Sequence, residues 1–144
     1  MHELENQLEL ERQARQRTID KMLMMTHWYT FDELTDLLNC DAIAGASLLK
    51  AWQLERRIFA VDNLGQQLFA KFQFDGEHRP LPVIAEILAL LVSADGWAIA
   101  AWFLFQNGWI SNPSGIGSAA PIDVLGSSEQ VLAAAKRSHG THFA

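Results

Sequence analysis

The spacing of hydrophobic positions changes several times along the chain, and each change marks an element. Over residues 3–25 the apolar positions are sparse: Leu4, Leu8, Ile19, Met22 and Leu23 stand among charges. The pattern predicts a helix that is solvated for most of its length and docked only at its C-terminal end. Dimerisation is the alternative use of its leucines. Glu3, Glu5, Glu9 and Glu11 come first and Arg12, Arg15, Arg17 and Lys21 follow, an order that complements the helix dipole. At "TFDE", Thr30 and Glu33 have the spacing of a capping box, and Phe31, Leu34, Leu37 and Leu38 form one apolar face behind it. A short turn near Asn39 leads to "DAIAGASLLKAWQLERR", a second helix with Asp41 as its cap. Ile58, Phe59 and Val61 then favour a strand. Asn63-Leu64-Gly65 reads as a hairpin turn, and Leu68 to Phe74 as the returning strand. Helix, turn, helix, hairpin is the order of a winged helix-turn-helix.

Gly76 and Pro80 to Pro82 mark a boundary, with Pro82 suited to the first turn of a new helix. Val83 to Phe105 is nearly continuous in apolar residues and about as long as a membrane span. Glu86, Asp95 and Gly96 interrupt it, however, so two buried helices joined at Asp95-Gly96 are expected instead. Residues 107–120 read as a loop, Pro121 as the start of a short helical turn, and Ser127 with Gln130 as the cap of a last helix. The tail "SHGTHFA" reads as mobile. The expected fold is mainly α with one small β-hairpin, a winged-helix-like N-terminal module fused to a small helical bundle. The expected divisions are an N-terminal helix over 1–26, the helix-turn-helix module over 27–79 and the bundle over 80–144.

Charge limits the functions available. The chain has 11 Lys and Arg against 17 Asp and Glu, a net charge of −6. A general basic surface for nucleic acid is therefore missing, although a local patch remains open. The one cysteine, Cys40, cannot form an intrachain disulfide, and the charged N-terminus lacks the apolar core of a signal peptide. A cytoplasmic protein without a membrane partner is expected. No nucleophile elbow or phosphate-binding glycine loop is present, and Gly115-Ile116-Gly117 lacks the strand such a loop follows. His139 and His142 are a weak metal signal. Neither catalysis nor a cofactor is expected. If the second helix reads DNA, its kit is Ser47, Lys50, Gln53, Arg56 and Arg57, with Lys71 as a further phosphate contact. This is thin for base readout, because the front half, "AIAGAS", is small and apolar.

Residues 80–140 carry the most specific pattern. Trp102 lies on a helix, Asn107, Trp109 and Ile110 follow its end, and Pro121, Asp123 and Leu125 precede a final helix spanning Gln130 to Lys136. This resembles the toxin-binding domain of the Xre/MbcA/ParS family of bacterial antitoxins. Gln106 stands where that family usually has proline, and ten residues separate Ile110 from Pro121. A second register takes Pro113 as the family proline. The resemblance implies a protein that binds a toxin, often of the NAD-consuming RES type, and masks its active site sterically. It also implies repression of the protein's own operon through an N-terminal helix-turn-helix, and a homodimer on a two-fold operator. By the same resemblance Asn107, Trp109, Ile110, Pro121 and Asp123 would meet the partner. The alternatives are a stand-alone winged-helix transcription regulator and an adaptor that does not bind DNA.

Overall fold

The structure, a computed structural model, describes residues 2–92, 94–111 and 117–143. Helix α1 spans His2–Met25, followed by strand β1 (Trp28–Thr30) and helices α2 (Phe31–Leu37) and α3 (Ala42–Leu54). Strands β2 (Val61–Asn63) and β3 (Gln66–Ala70) form the hairpin, and a short 3₁₀ turn covers Lys71–Gln73. Helices α4 (Pro82–Leu90) and α5 (Gly96–Leu104), strands β4 (Asn107–Ser111) and β5 (Ser118–Ala119), a 3₁₀ turn at Pro121–Val124 and helix α6 (Ser128–Phe143) complete the order. The mainly α architecture with a winged-helix-like first module is as expected. The segment read as a mobile tail continues α6 to Phe143.

Local chemistry explains most element ends. The Thr30 hydroxyl accepts from the Glu33 amide at 3.1 Å, and the Glu33 carboxylate accepts from the Thr30 amide at 2.9 Å. Asp41 accepts from the Ala44 amide at 2.8 Å, and Asp95 from the Ala98 amide at 2.8 Å. Helix α2 stops where Asn39 takes a left-handed φ of 56°, a conformation asparagine tolerates better than most residues. Leu64 (φ 54°) and Gly65 (φ 81°) make the two-residue turn between β2 and β3.

The hairpin gains a third strand, because β1 pairs antiparallel with β3, in the order β1-β3-β2. Trp28 faces Ala70, Tyr29 faces Phe69 and Val61 faces Leu68. Alternation along the strands splits these residues between two cores. Tyr29 and Phe69 join Leu34, Leu38, Leu49 and Trp52 of the helix-turn-helix. Trp28, Val61, Leu68 and Ala70 face the other way and pack with Ile19 and Met22 of α1 and with the buried residues of α4, α5 and α6. The boundary at residues 79 and 80 is therefore a connector but not a break in packing. The helix of 1–26 is likewise joined to the bundle at its C-terminal end. Trp28 fastens that end by donating its indole N–H to the Met22 carbonyl at 3.1 Å.

The first hairpin strand begins later than its composition suggests. Ile58 and Phe59 are buried, but pairing starts only at Val61. The Gln73 side chain takes the backbone of Phe59 instead. It accepts from the Phe59 amide at 2.7 Å and donates to the Phe59 carbonyl at 3.0 Å. It also reaches the Ala70 carbonyl at 3.2 Å. The expected return strand ends early for the same reason: the chain turns at Lys71–Gln73 to place Gln73 inside.

Candidate partner-binding corner and helix-turn-helix face

Two surfaces could carry function, and the first is the corner between α5 and α6. Helix α5 is set by its contact with the hairpin. Trp97 donates its indole N–H to the Asp62 carbonyl at 3.0 Å and lies 5.7 Å from the Trp28 ring. The chain does not loop out after Leu104, because Asn107–Ser111 forms a strand paired with Ser118–Ala119 in an irregular register. Asn-Gly opens that strand and its partner has only two residues, so the hairpin left little trace in the hydrophobic pattern. Next, Pro121–Val124 forms the expected turn, and Asp123 accepts from the Ala120 amide at 3.3 Å. Val131, Ala134 and Ala135 of α6 are buried against this unit.

This geometry divides the five expected partner residues. Ile110 is 1% exposed and belongs to the main core, and Pro121 is fully buried. Both side chains are turned into the packing of the corner. Asp123 is exposed and Asn107 half-buried. The side chain of Trp109 lies outside the described residues, as do residues 112–116, which include Pro113 and the middle of the segment read as a loop. Trp102 is half-buried and meets Phe103 edge-on, with ring centroids 5.2 Å apart.

The second surface is α3 and the wing. Helices α2 and α3 approach closely at Gly45, where a Cβ would lie 2.2 Å from the Thr35 methyl. Ser47 and Lys50 are exposed on the outward face, and Gln53 is half-buried at the groove toward Gln67 of β3. Arg57 is exposed, with its guanidinium 5.8 Å from the Trp52 ring centroid. Two of the expected cations are not part of this face. Arg56 has a left-handed φ of 56° and donates to the Leu88 carbonyl at 2.9 Å. It therefore serves the C-terminal turn of α4, where a cation also complements the helix dipole. Lys71 stands at the end of β3 away from the wing turn and lines a different cavity with Tyr29, Phe74 and His78. Beside Ser47 and Lys50 the outward face carries exposed apolar residues: Ile43 is 83% exposed, Leu54 74% and Leu64 at the wing tip 96%.

Two carboxylates are held below their usual pKa range. Glu33 is lowered first by the Thr30 amide and then by the Thr30 hydroxyl. Asp75 is lowered first by the Arg79 amide and then by the Glu77 amide, which close the loop leading to α4. Groups with depressed folded-state pKa values stabilise the fold above their unfolded pKa, and that contribution is lost as pH falls through the folded value. Stability should therefore fall on acidification below about pH 5, where unperturbed carboxylates begin to titrate. In a Glu33→Gln/Asp75→Asn variant the slope of stability against pH, followed by urea unfolding, should be shallower. An unchanged slope would refute the assignment.

No family model matches the chain, and no curated protein matches it. Among solved structures, the NMR structure of Rv2175c superposes with a TM-score of 0.62 at 16% identity, covering 81% of each chain. At that identity the likeness establishes the fold alone.

Proposed function

We propose that this chain is an antitoxin-like, protein-binding regulator. Its α5–corner–α6 unit would engage a partner toxin of the RES type and mask its active site sterically. The observation that carries this reading is the corner itself. Trp102, Ile110 and Leu125, with Val131, Ala134 and Ala135 of the final helix, are positions in the resemblance that belong to one packed cluster. A packed scaffold of this kind can present the exposed Asp123 with little ordering cost on binding. Co-expression with a RES-type toxin should restore growth and cellular NAD. Trp109→Ala, a typical hot-spot truncation, should weaken the complex by about thirtyfold or more. No rescue by the wild type, or full binding by Trp109→Ala/Asp123→Lys, would reject the reading.

The second face supports DNA contact less well than protein contact. Arg56 is occupied at Leu88, and Ile43 and Leu54 flank Lys50. This favours the adaptor alternative over a stand-alone regulator. Salt-dependent binding to the protein's own promoter, lost in Lys50→Glu/Arg57→Glu, would restore DNA-directed autoregulation as the role of this face.

A further inference from the structure

Independently of that reading, we infer that the projecting half of α1 is an antiparallel pairing surface for a second copy of this chain. His2 through Thr18 are all exposed, although the helix runs unbroken to Met25. That arm is about 25 Å long at the helical rise of ~1.5 Å per residue. Helices draw most of their stability from packing one face, and an unpacked arm of this length is marginal in water. The face that would pack is continuous with the part already docked. Helical periodicity puts Leu4, Leu8, Arg12 and Arg15 on the stripe that continues into Ile19 and Met22. Leu4 is 61% exposed and Leu8 57%, whereas Ile19 and Met22 are buried in the main core.

The charge order selects the occupant. Residues 2–11 carry Glu3, Glu5, Glu9 and Glu11 and no Lys or Arg. Residues 12–21 carry Arg12, Arg15, Arg17 and Lys21 against one carboxylate, Asp20. Parallel pairing would set acid on acid and base on base. Antiparallel pairing sets each half on its opposite, and a two-fold axis makes the arrangement self-complementary. With that axis beside Leu10, Glu3 and Glu5 stand level with Arg17 and Arg15 of the second copy, so the contact stays within the exposed stretch 2–18 and clear of Ile19 and Lys21, which pack on their own chain. Arg12 already pairs with Glu9 on its own helix. Both side chains of that pair are largely exposed, so they can exchange partners on association.

The contact is smaller than the ~1,200 Å² that stable complexes usually bury, so the dimer should be weak. Sedimentation of the full chain over a concentration series should show a monomer–dimer equilibrium. Its dissociation constant should rise about tenfold or more between roughly 0.05 and 0.5 M salt. Glu5→Lys/Glu9→Lys/Glu11→Lys should be monomeric. Adding Arg12→Glu, Arg15→Glu and Arg17→Glu to it should restore the dimer, which excludes simple loss of helix as the cause. L4C chains mixed with R15C chains, both carrying C40S, should form the 4–15 disulfide in preference to 4–4. A wild type that stays monomeric, a dimer indifferent to charge reversal, failure of the compensated variant, or dominant 4–4 cross-linking would each overturn the proposal.

Discussion

Gln73→Leu should remove a large share of this protein's stability. Gln73 has no solvent exposure, and its amide makes three hydrogen bonds, two with Phe59 and one with Ala70. Leucine keeps approximately the volume but removes both the acceptor and the donor. Three backbone groups then lose a partner in a region water does not reach. A buried polar group left unsatisfied costs ~1–3 kcal/mol, so a loss of about 3–5 kcal/mol is expected. Domains of this size are stable by only ~5–15 kcal/mol. Gln73→Glu should behave differently. The carboxyl can still accept from Phe59, but it can donate only while protonated. Burial would raise its pKa, so this variant should be most stable at acid pH and lose stability as pH rises through the folded value. Chemical denaturation of both variants at two pH values checks the argument. A Gln73→Leu protein within about 1 kcal/mol of wild type would show that the clamp contributes little.

Gly96→Ala should be the second severe change, for a steric reason. A Cβ at this position would lie 2.2 Å from the Ala60 carbonyl oxygen and 3.3 Å from the Val61 Cα. Those neighbours are backbone of the chain entering β2, so they cannot swing aside as a side chain can. Either α5 moves off the hairpin, breaking the Trp97–Asp62 hydrogen bond, or β2 leaves β3. Overpacking of a rigid site typically costs ~1–3 kcal/mol, and the upper end is expected here. Gly126→Ala is the control, because a Cβ there meets nothing within 4 Å. Thermal unfolding that ranks Gly126→Ala at or below Gly96→Ala would contradict the close approach.

Whatever depends on neighbouring residues could be read from the sequence. Thr30 with Glu33, Asp41, Asp95-Gly96 and Leu64-Gly65 act within a few positions, so their spacing is their chemistry. The helix order and the winged-helix likeness follow from them. What depends on tertiary company could not be read. Gln73 sits between Phe72 and Phe74 and so resembles the polar step of a strand, and only the fold shows it capping Phe59. Arg56 and Lys71 share the charge of Lys50, but one is tied to α4 and the other stands at the far end of β3. Ile110 and Pro121 illustrate a related limit. Their spacing in the sequence does not show that they are buried in the corner and do not face outward. Strand β4 escaped notice because its partner is two residues long and the pair is held by packing on α6.

The division of one small sheet between two cores also has a consequence for synthesis. The chain emerges from the ribosome N-terminus first, at about 5–20 residues per second. Trp28, Val61, Leu68 and Ala70 are made before any of the bundle residues that cover them, which extend from Val83 to Ala135. For several seconds the nascent winged helix can complete its own inner core around Tyr29, Leu34, Trp52 and Phe69. Its other face, met at that stage only by Ile19 and Met22 of α1, stays partly open until α4, α5 and α6 have all arrived. The sheet that unites the finished molecule is thus the part of the unfinished chain most exposed to chaperones and to misassociation.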